Sequence, residues 1–240
     1  SFIQHLGIPA LNIGFGGEDP GGEYHSIYDS YDHYSRFKDP GFNYGVALGK
    51  VNGRAVLRMA DAEQLPFNFA ILQKTIAGYV KELSSTTDQL RENTQIENEV
   101  INSKAYVLAA DPTEKEQLPK IKPAVPFIDF SPVQNALAEL ENASKTLNQY
   151  VAKTGTLSEK ANASLYRAEQ QLLSANGLPR RSWFKHTIYA PGFYTGYGVK
   201  TMPGIREAIE QRDWKEAQEQ IQIAAGQIKE LAAHLMSIAQ

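Results

Sequence analysis

Tyr24-His25-Ser26-Ile27 holds the groups best suited to chemistry in this sequence. A neutral imidazole can ligate a transition metal, and a phenol beside it can donate a hydrogen bond to an oxygen that the metal has polarised. The tetrapeptide runs on into Tyr28-Asp29-Ser30 and follows a glycine-rich turn at 16–22, itself preceded by an apolar run at 11–15. Site residues of α/β folds gather where a strand has ended and the chain turns. One histidine supplies one ligand where zinc needs about three or four, so taken bare His25 is more often a satisfied loop residue. Asp29 and Asp32 are placed to orient the His25 loop, a service that metal-site histidines require.

The elements that must position this loop change character near residue 65. Before it, 11–15 reads as a buried strand, and residues 1–6 as the tail of a helix entering it. Asp39 reads as an N-cap with Pro40 at the first helical position. The helix that follows is apolar on most sides, with Val46, Leu48, Val51, Val56, Leu57 and Met59, which predicts burial within a larger body. After Pro66 the pattern is amphipathic and helical. Asn68 caps a stripe of Phe69, Leu72, Ile76 and Leu83, and Ser131-Pro132 opens one of Val133, Leu137, Leu140, Leu147 and Val151. Thr156 with Glu159 reads as a capping box before Leu157, Ala161, Leu165 and Leu172, stopped by Asn176-Gly177. Asp213 with Glu216 opens a last stripe: Ala217, Ile221, Ala224, Ile228, Leu231, Leu235 and Ile238. Four such helices predict a bundle.

Two stretches break the helical pattern. Residues 93–130, with Pro112, Pro119, Pro123 and Pro126, lack periodicity and read as an irregular insertion. Residues 182–204 carry Trp183, Phe184, Tyr189, Phe193, Tyr194 and Tyr197 among glycines, an aromatic density that must pack against something. His5, His33, His186 and His234 take the plain reading of structural or solvated residues.

Leu6-Gly7-Ile8-Pro9-Ala10, the Tyr24 to Asp29 string and Asp39-Pro40-Gly41-Phe42-Asn43-Tyr44 together resemble the end of the peptidase domain in the glutamate carboxypeptidase and transferrin receptor family. Gly177-Leu178-Pro179, His186-Thr187-Ile188-Tyr189-Ala190-Pro191, Tyr197 and Pro203-Gly204-Ile205 resemble, in order and spacing, the family's helical C-terminal domain. The resemblance implies an α/β piece, the end of a zinc-peptidase domain, at 1–65. It implies a mostly α, four-helix-bundle dimerisation domain at 66–240, with 182–204 a pocket-lining loop. It makes His25 the last ligand of a two-zinc site, Tyr24 an oxyanion donor, and Tyr197 a substrate contact. The lysine that precedes that tyrosine in glutamate-specific members is Gly196 here, and Lys200 is the candidate replacement from the same loop.

The remaining zinc ligands and the catalytic base of such enzymes map upstream of residue 1. The chain is therefore expected to be the C-terminal portion of a zinc-dependent exopeptidase acting on peptides, inert alone, and homodimeric through its helical domain. The alternative is a receptor-like dimerising ectodomain without zinc or activity. The resemblance also implies an extracytoplasmic location.

Composition sets outer bounds. A net charge of -3 without a basic stripe gives nucleic-acid binding no support. Absence of cysteine excludes disulfides and thiolate metal sites. No apolar run approaches the roughly 20 residues of a membrane span, and residues 1–10 lack the regions of a signal peptide. Asn142-Ala143-Ser144 and Asn162-Ala163-Ser164 fit the glycosylation pattern but are uninformative alone.

Overall fold

The computed structural model describes residues 2–17, 21–111, 113 and 118–239. Part of the glycine-rich turn at 16–22, Ser1 and Pro112 fall outside the described residues. Two compact units divide the chain: one comprises Ser1–Pro9 with Pro66–Gln240, the other Ala10–Leu65. Residues 2–9 thus belong with the helical unit rather than with the piece expected to end at 65. The local reason is visible: the Gln4 carbonyl accepts from Lys185 N (2.8 Å) and His186 N (3.1 Å), and His5 stacks on Trp183 at 4.4 Å.

The Ala10–Leu65 unit is built around helix α1, Asn43–Ala60. Residues 11–15 form no strand. Extended backbone becomes a strand only when a neighbour pairs with its N–H and C=O groups, and no described residue does so. The α/β expectation for this part is not confirmed: among the described residues it holds helix and loop. Val46, Val51, Val56, Leu57 and Met59 are exposed rather than buried. Leu11 and Ile13 line a groove of about 520 Å³ with Asn52, Ala55, Val56 and Met59, and one short segment cannot cover a helix apolar on most sides.

The other unit is helical. Helix α2 spans Phe69–Asn102, α3 Ala105–Ala109, α4 Ser131–Thr154, α5 Glu159–Leu165, α6 Pro203–Glu210 and α7 Trp214–Ile238. Strands β1 (Tyr189–Pro191) and β2 (Val199–Thr201) form an antiparallel hairpin with Ala190 opposite Lys200. Helix α7 is the centre: it packs on α4, α6 and the 3₁₀ turn Ala168–Leu172, while α2 packs on α4. Its stripe from Ala217 to Ile238 is buried at every position named from the sequence. Each large apolar side chain so buried contributes about 1.5–3 kcal/mol. Asp213 caps α7 as its spacing predicts, accepting from Glu216 N at 2.9 Å. No helix of the described residues is long and apolar enough to cross a membrane.

Three boundaries differ from expectation, each for a local reason. Helix α2 continues through 93–102 because the chain returning from the insertion hydrogen-bonds along it. Arg91 donates to the carbonyls of Val125 (3.2 Å) and Pro126 (2.9 Å), and Asn98 exchanges two bonds with the Lys122 backbone (2.8 and 2.9 Å). These partners are polar, so hydrophobic periodicity does not reveal them. The helix expected over 157–172 opens on Ser158, whose hydroxyl accepts from Ala161 N, and breaks after Leu165. Gly177 therefore stops no helix. It closes a tight turn with φ +70°, and a Cβ there would lie 2.2 Å from the Ser182 carbonyl oxygen.

Candidate functional site

Candidate groups occur in both units, and each set is described by itself. In the Ala10–Leu65 unit, Tyr24 and His25 occupy a turn held from below by Ser26 and Glu23. The Ser26 hydroxyl donates to Glu23 O (2.7 Å) and accepts from Tyr28 N (3.1 Å), while Ser26 N donates to Glu23 O (2.9 Å). Lys38 pairs with the Glu23 carboxylate at 2.9 Å. That hydrogen bond, with backbone donors at Glu23 and Gly22, holds the Glu23 carboxyl down to about 2.

His25 itself adopts φ +61°, in the left-handed region where non-glycine residues are uncommon. The imidazole is exposed, stacks on the Tyr24 ring at 3.8 Å, and takes no hydrogen bond among the described residues. The Tyr24 ring is 76% exposed. A bare imidazole on a strained turn is a donor available to a metal, and its type suits zinc. It is one ligand only: no group of three or more His, Cys, Asp or Glu among the described residues could hold a metal ion. Asp29, expected to orient the loop, closes the turn with its backbone, Asp29 N donating to Ser26 O (3.1 Å).

Asp39 is the buried anchor of this unit. It was expected to cap its helix directly; the helix instead starts at Asn43, after Phe42 in the left-handed region, and Asp39 reaches past the Pro40-Gly41-Phe42 turn. Its carboxylate accepts from Gly45 N (2.8 Å), Tyr44 N (3.1 Å) and the Tyr34 hydroxyl (3.3 Å). Burial works to raise its pKa, but the Gly45, Tyr44 and Tyr34 donors outweigh it and hold the carboxyl below the usual aspartate range. A depressed carboxyl stabilises the fold above the ordinary value of about 3.9, and that stabilisation is lost as pH falls through the folded value. The Tyr44 and Gly45 amide signals are accordingly expected to titrate together with a midpoint below about 3.9. A midpoint at or above it would contradict the capping role.

In the helical unit, the β1–β2 hairpin carries the second set. Arg181 and Glu207 clamp its base: the guanidinium donates to both carboxylate oxygens (2.6 and 3.0 Å) and to Pro191 O (3.3 Å), and Phe193 N donates to Glu207 Oε1 (2.7 Å). Arg206 clamps the other strand, bonding Thr201 through its carbonyl and hydroxyl and pairing with Glu82. Tyr197 stands at the tip, wholly exposed, with no partner among the described residues. The Lys200 ammonium pairs with Glu210.

His186, read as structural, is 1% exposed. Its Nδ1 accepts from Ile188 N and Tyr189 N (both 3.2 Å), so Nε2 carries the hydrogen that bonds Glu169 (2.8 Å). His234 is half-buried and bonds Ser164 rather than standing on a solvated face. The groups that sequence reasoning missed are Glu23, Ser26, Arg181 and Glu207. Asp39-Pro40-Gly41 was the one available signal of a turn-bound anchor.

Residues 128–236 match the transferrin receptor-like dimerisation domain. A probable glutamate carboxypeptidase of Arabidopsis thaliana is 31% identical over 230 residues, 92% of this chain and 28% of that protein. A second, from Arthroderma benhamiae, is 28% identical over 97% of this chain and 29% of its own length. An aminopeptidase of Rattus norvegicus is 21% identical over 99% of this chain and 30% of its own. The chain thus spans less than a third of the length of these relatives. Residues 128–236 thus match a transferrin receptor-like dimerisation domain, and most of the chain is similar to part of proteins named probable glutamate carboxypeptidases.

Proposed function

We propose that the chain is the C-terminal part of a zinc-dependent exopeptidase that hydrolyses peptides and works as a homodimer through its helical domain. The observation that carries this reading is the Tyr24–His25 pair: an exposed imidazole free of hydrogen bonds among the described residues, on a turn with φ +61°, with a phenol stacked on it. The naming of the relatives as carboxypeptidases and an aminopeptidase supports the same class.

In this reading His25 is the last ligand of a two-zinc centre whose other ligands and general base lie on preceding segments. Zinc, when bound, supplies a Lewis acid that polarises the scissile carbonyl and activates water. Tyr24 donates its hydroxyl hydrogen to the oxygen on which charge develops. Ser26, Glu23 and Lys38 fix the turn.

The test is hydrolysis of short peptides by the full-length protein before and after chelation. Activity lost to the chelator and restored by zinc is expected, with the 240-residue chain inert as the control. A zinc-free, inactive dimer would contradict it and favour the receptor-like alternative.

A further inference from the structure

We infer that His186 is a pH-sensitive latch within the helical unit: while its imidazole is neutral it holds residues 2–8 in place as a strap, and its protonation releases them.

Three segments of that unit meet at His186. The backbone N–H groups of Lys185 and His186 both donate to the Gln4 carbonyl (2.8 and 3.1 Å), which fastens the strap. Gly7 approaches the 3₁₀ turn Ala168–Leu172 so closely that a Cβ would sit 2.9 Å from the Gln170 Cα. The His186 ring fixes the start of β1, because Nδ1 accepts from Ile188 N and Tyr189 N (both 3.2 Å), while Nε2–H bonds Glu169 on the turn (2.8 Å). Ring and backbone of one residue are thus linked. When the ring gives up the two amides, the backbone on which the strap rests moves with it. Ile3 of the strap walls a cavity of about 140 Å³ with Leu72, Ile76, Tyr79 and Ile188, and release opens that apolar space to solvent.

Nδ1 accepts only while it carries no proton. Protonation makes it a donor facing two N–H groups, and Ile188, itself buried, loses its acceptor where water does not replace it. The new charge has a partner in the Glu169 carboxylate, whose side chain is 14% exposed and whose bond to an imidazolium is charge-assisted. The ring therefore has two arrangements, one bonded to the β1 amides and one held by Glu169 alone, as a switch requires. Glu169 faces it from the turn, and α2 and β1 bring the Tyr79 and Tyr189 phenols to the same cavity. Of the helices packed on these segments, α6 has Arg206 paired with Glu82 and Glu207 with Arg181, and α7 has Lys229 paired with Glu139 and His234 bonded to Ser164. His5, the ionisable group of the strap, donates from Nδ1 to the Trp183 carbonyl and keeps that donor when protonated, so its own titration leaves the strap docked.

The experiment measures amide exchange of the 240-residue chain at about pH 7.5 and about pH 5.5, on either side of the ordinary histidine range, as protection factors corrected for intrinsic exchange. The Lys185 and His186 amides are expected to lose at least about tenfold in protection at the lower pH. Ile228 and Leu231, buried in α7, are expected to keep theirs. His186→Asn supplies an oxygen that accepts from following backbone N–H groups without titrating, so the Lys185 amide in this variant is expected to be equally protected at both pH values. Glu169→Gln keeps an acceptor for Nε2–H but offers an imidazolium no charge, and is expected to move the release to lower pH. Equal protection at the two pH values in the unsubstituted chain overturns the inference, as does a loss that extends to Ile228 and Leu231. A loss of the same size in His186→Asn overturns it too. If that variant does not fold, Glu169→Gln decides, and an unchanged pH response there overturns the inference.

Discussion

Glu207→Ala lowers the stability of the helical unit by about 3–5 kcal/mol, the cost of stranding a buried charge. The Arg181 and Glu207 side chains are 10% and 3% exposed, so neither is solvated when its partner is removed. Arg181 loses both carboxylate bonds, and its Nε already lacks a partner among the described residues. Phe193 N loses its acceptor as well, so the hairpin loosens together with α6. Urea denaturation of the chain measures the loss. A value under about 1 kcal/mol, typical of a surface ion pair, would show that the clamp is solvated. Replacing both partners at once, Arg181→Met with Glu207→Leu, is expected to recover most of the stability, because apolar pairs of similar volume are often neutral at such sites.

On the proposed mechanism, Tyr24→Phe in the full-length protein is expected to lower kcat by about 10²–10³-fold, the cost of one oxyanion donor. KM changes little, because the lost bond strengthens only as charge develops. Phenylalanine keeps the ring that stacks on His25 at 3.8 Å, so the turn and its imidazole stay in place. The variant therefore separates the hydroxyl from the scaffold. Unchanged kcat would remove Tyr24 from the chemistry while leaving His25 untouched.

Helix α7 was legible because its seven stripe positions face one core, and burial is what produces the periodicity. Helices α2 and α4 were legible for the same reason over their packed turns. Residues 93–102 were not, since Arg91 and Asn98 hold that part of α2 by bonding a distant backbone, which leaves no apolar pattern. The segment 11–15 misled in the other direction: apolar residues suggested a strand, but a strand also needs a paired neighbour. Residues 2–9 belong to the helical unit through Gln4 and His5, contacts across roughly 180 positions that no local signal encodes.

For the proposed site, residue type pointed to His25 with Tyr24 beside it, and the family resemblance pointed to Tyr197. The side chains that hold them did not stand out, because Glu23, Ser26, Arg181 and Glu207 are ordinary surface types whose roles arise only from placement. Lys200 illustrates the difference. Its position suited a substrate contact, and only the structure brings Glu210 against its ammonium.

The central claim is that His25 is a zinc ligand, and the metal content of the full-length protein tests it most directly. Elemental analysis after dialysis against trace zinc is expected to give about two equivalents per subunit, the load of a two-metal peptidase centre, falling by about one in His25→Ala. An identical zinc content in the two proteins, or none in either, would contradict it.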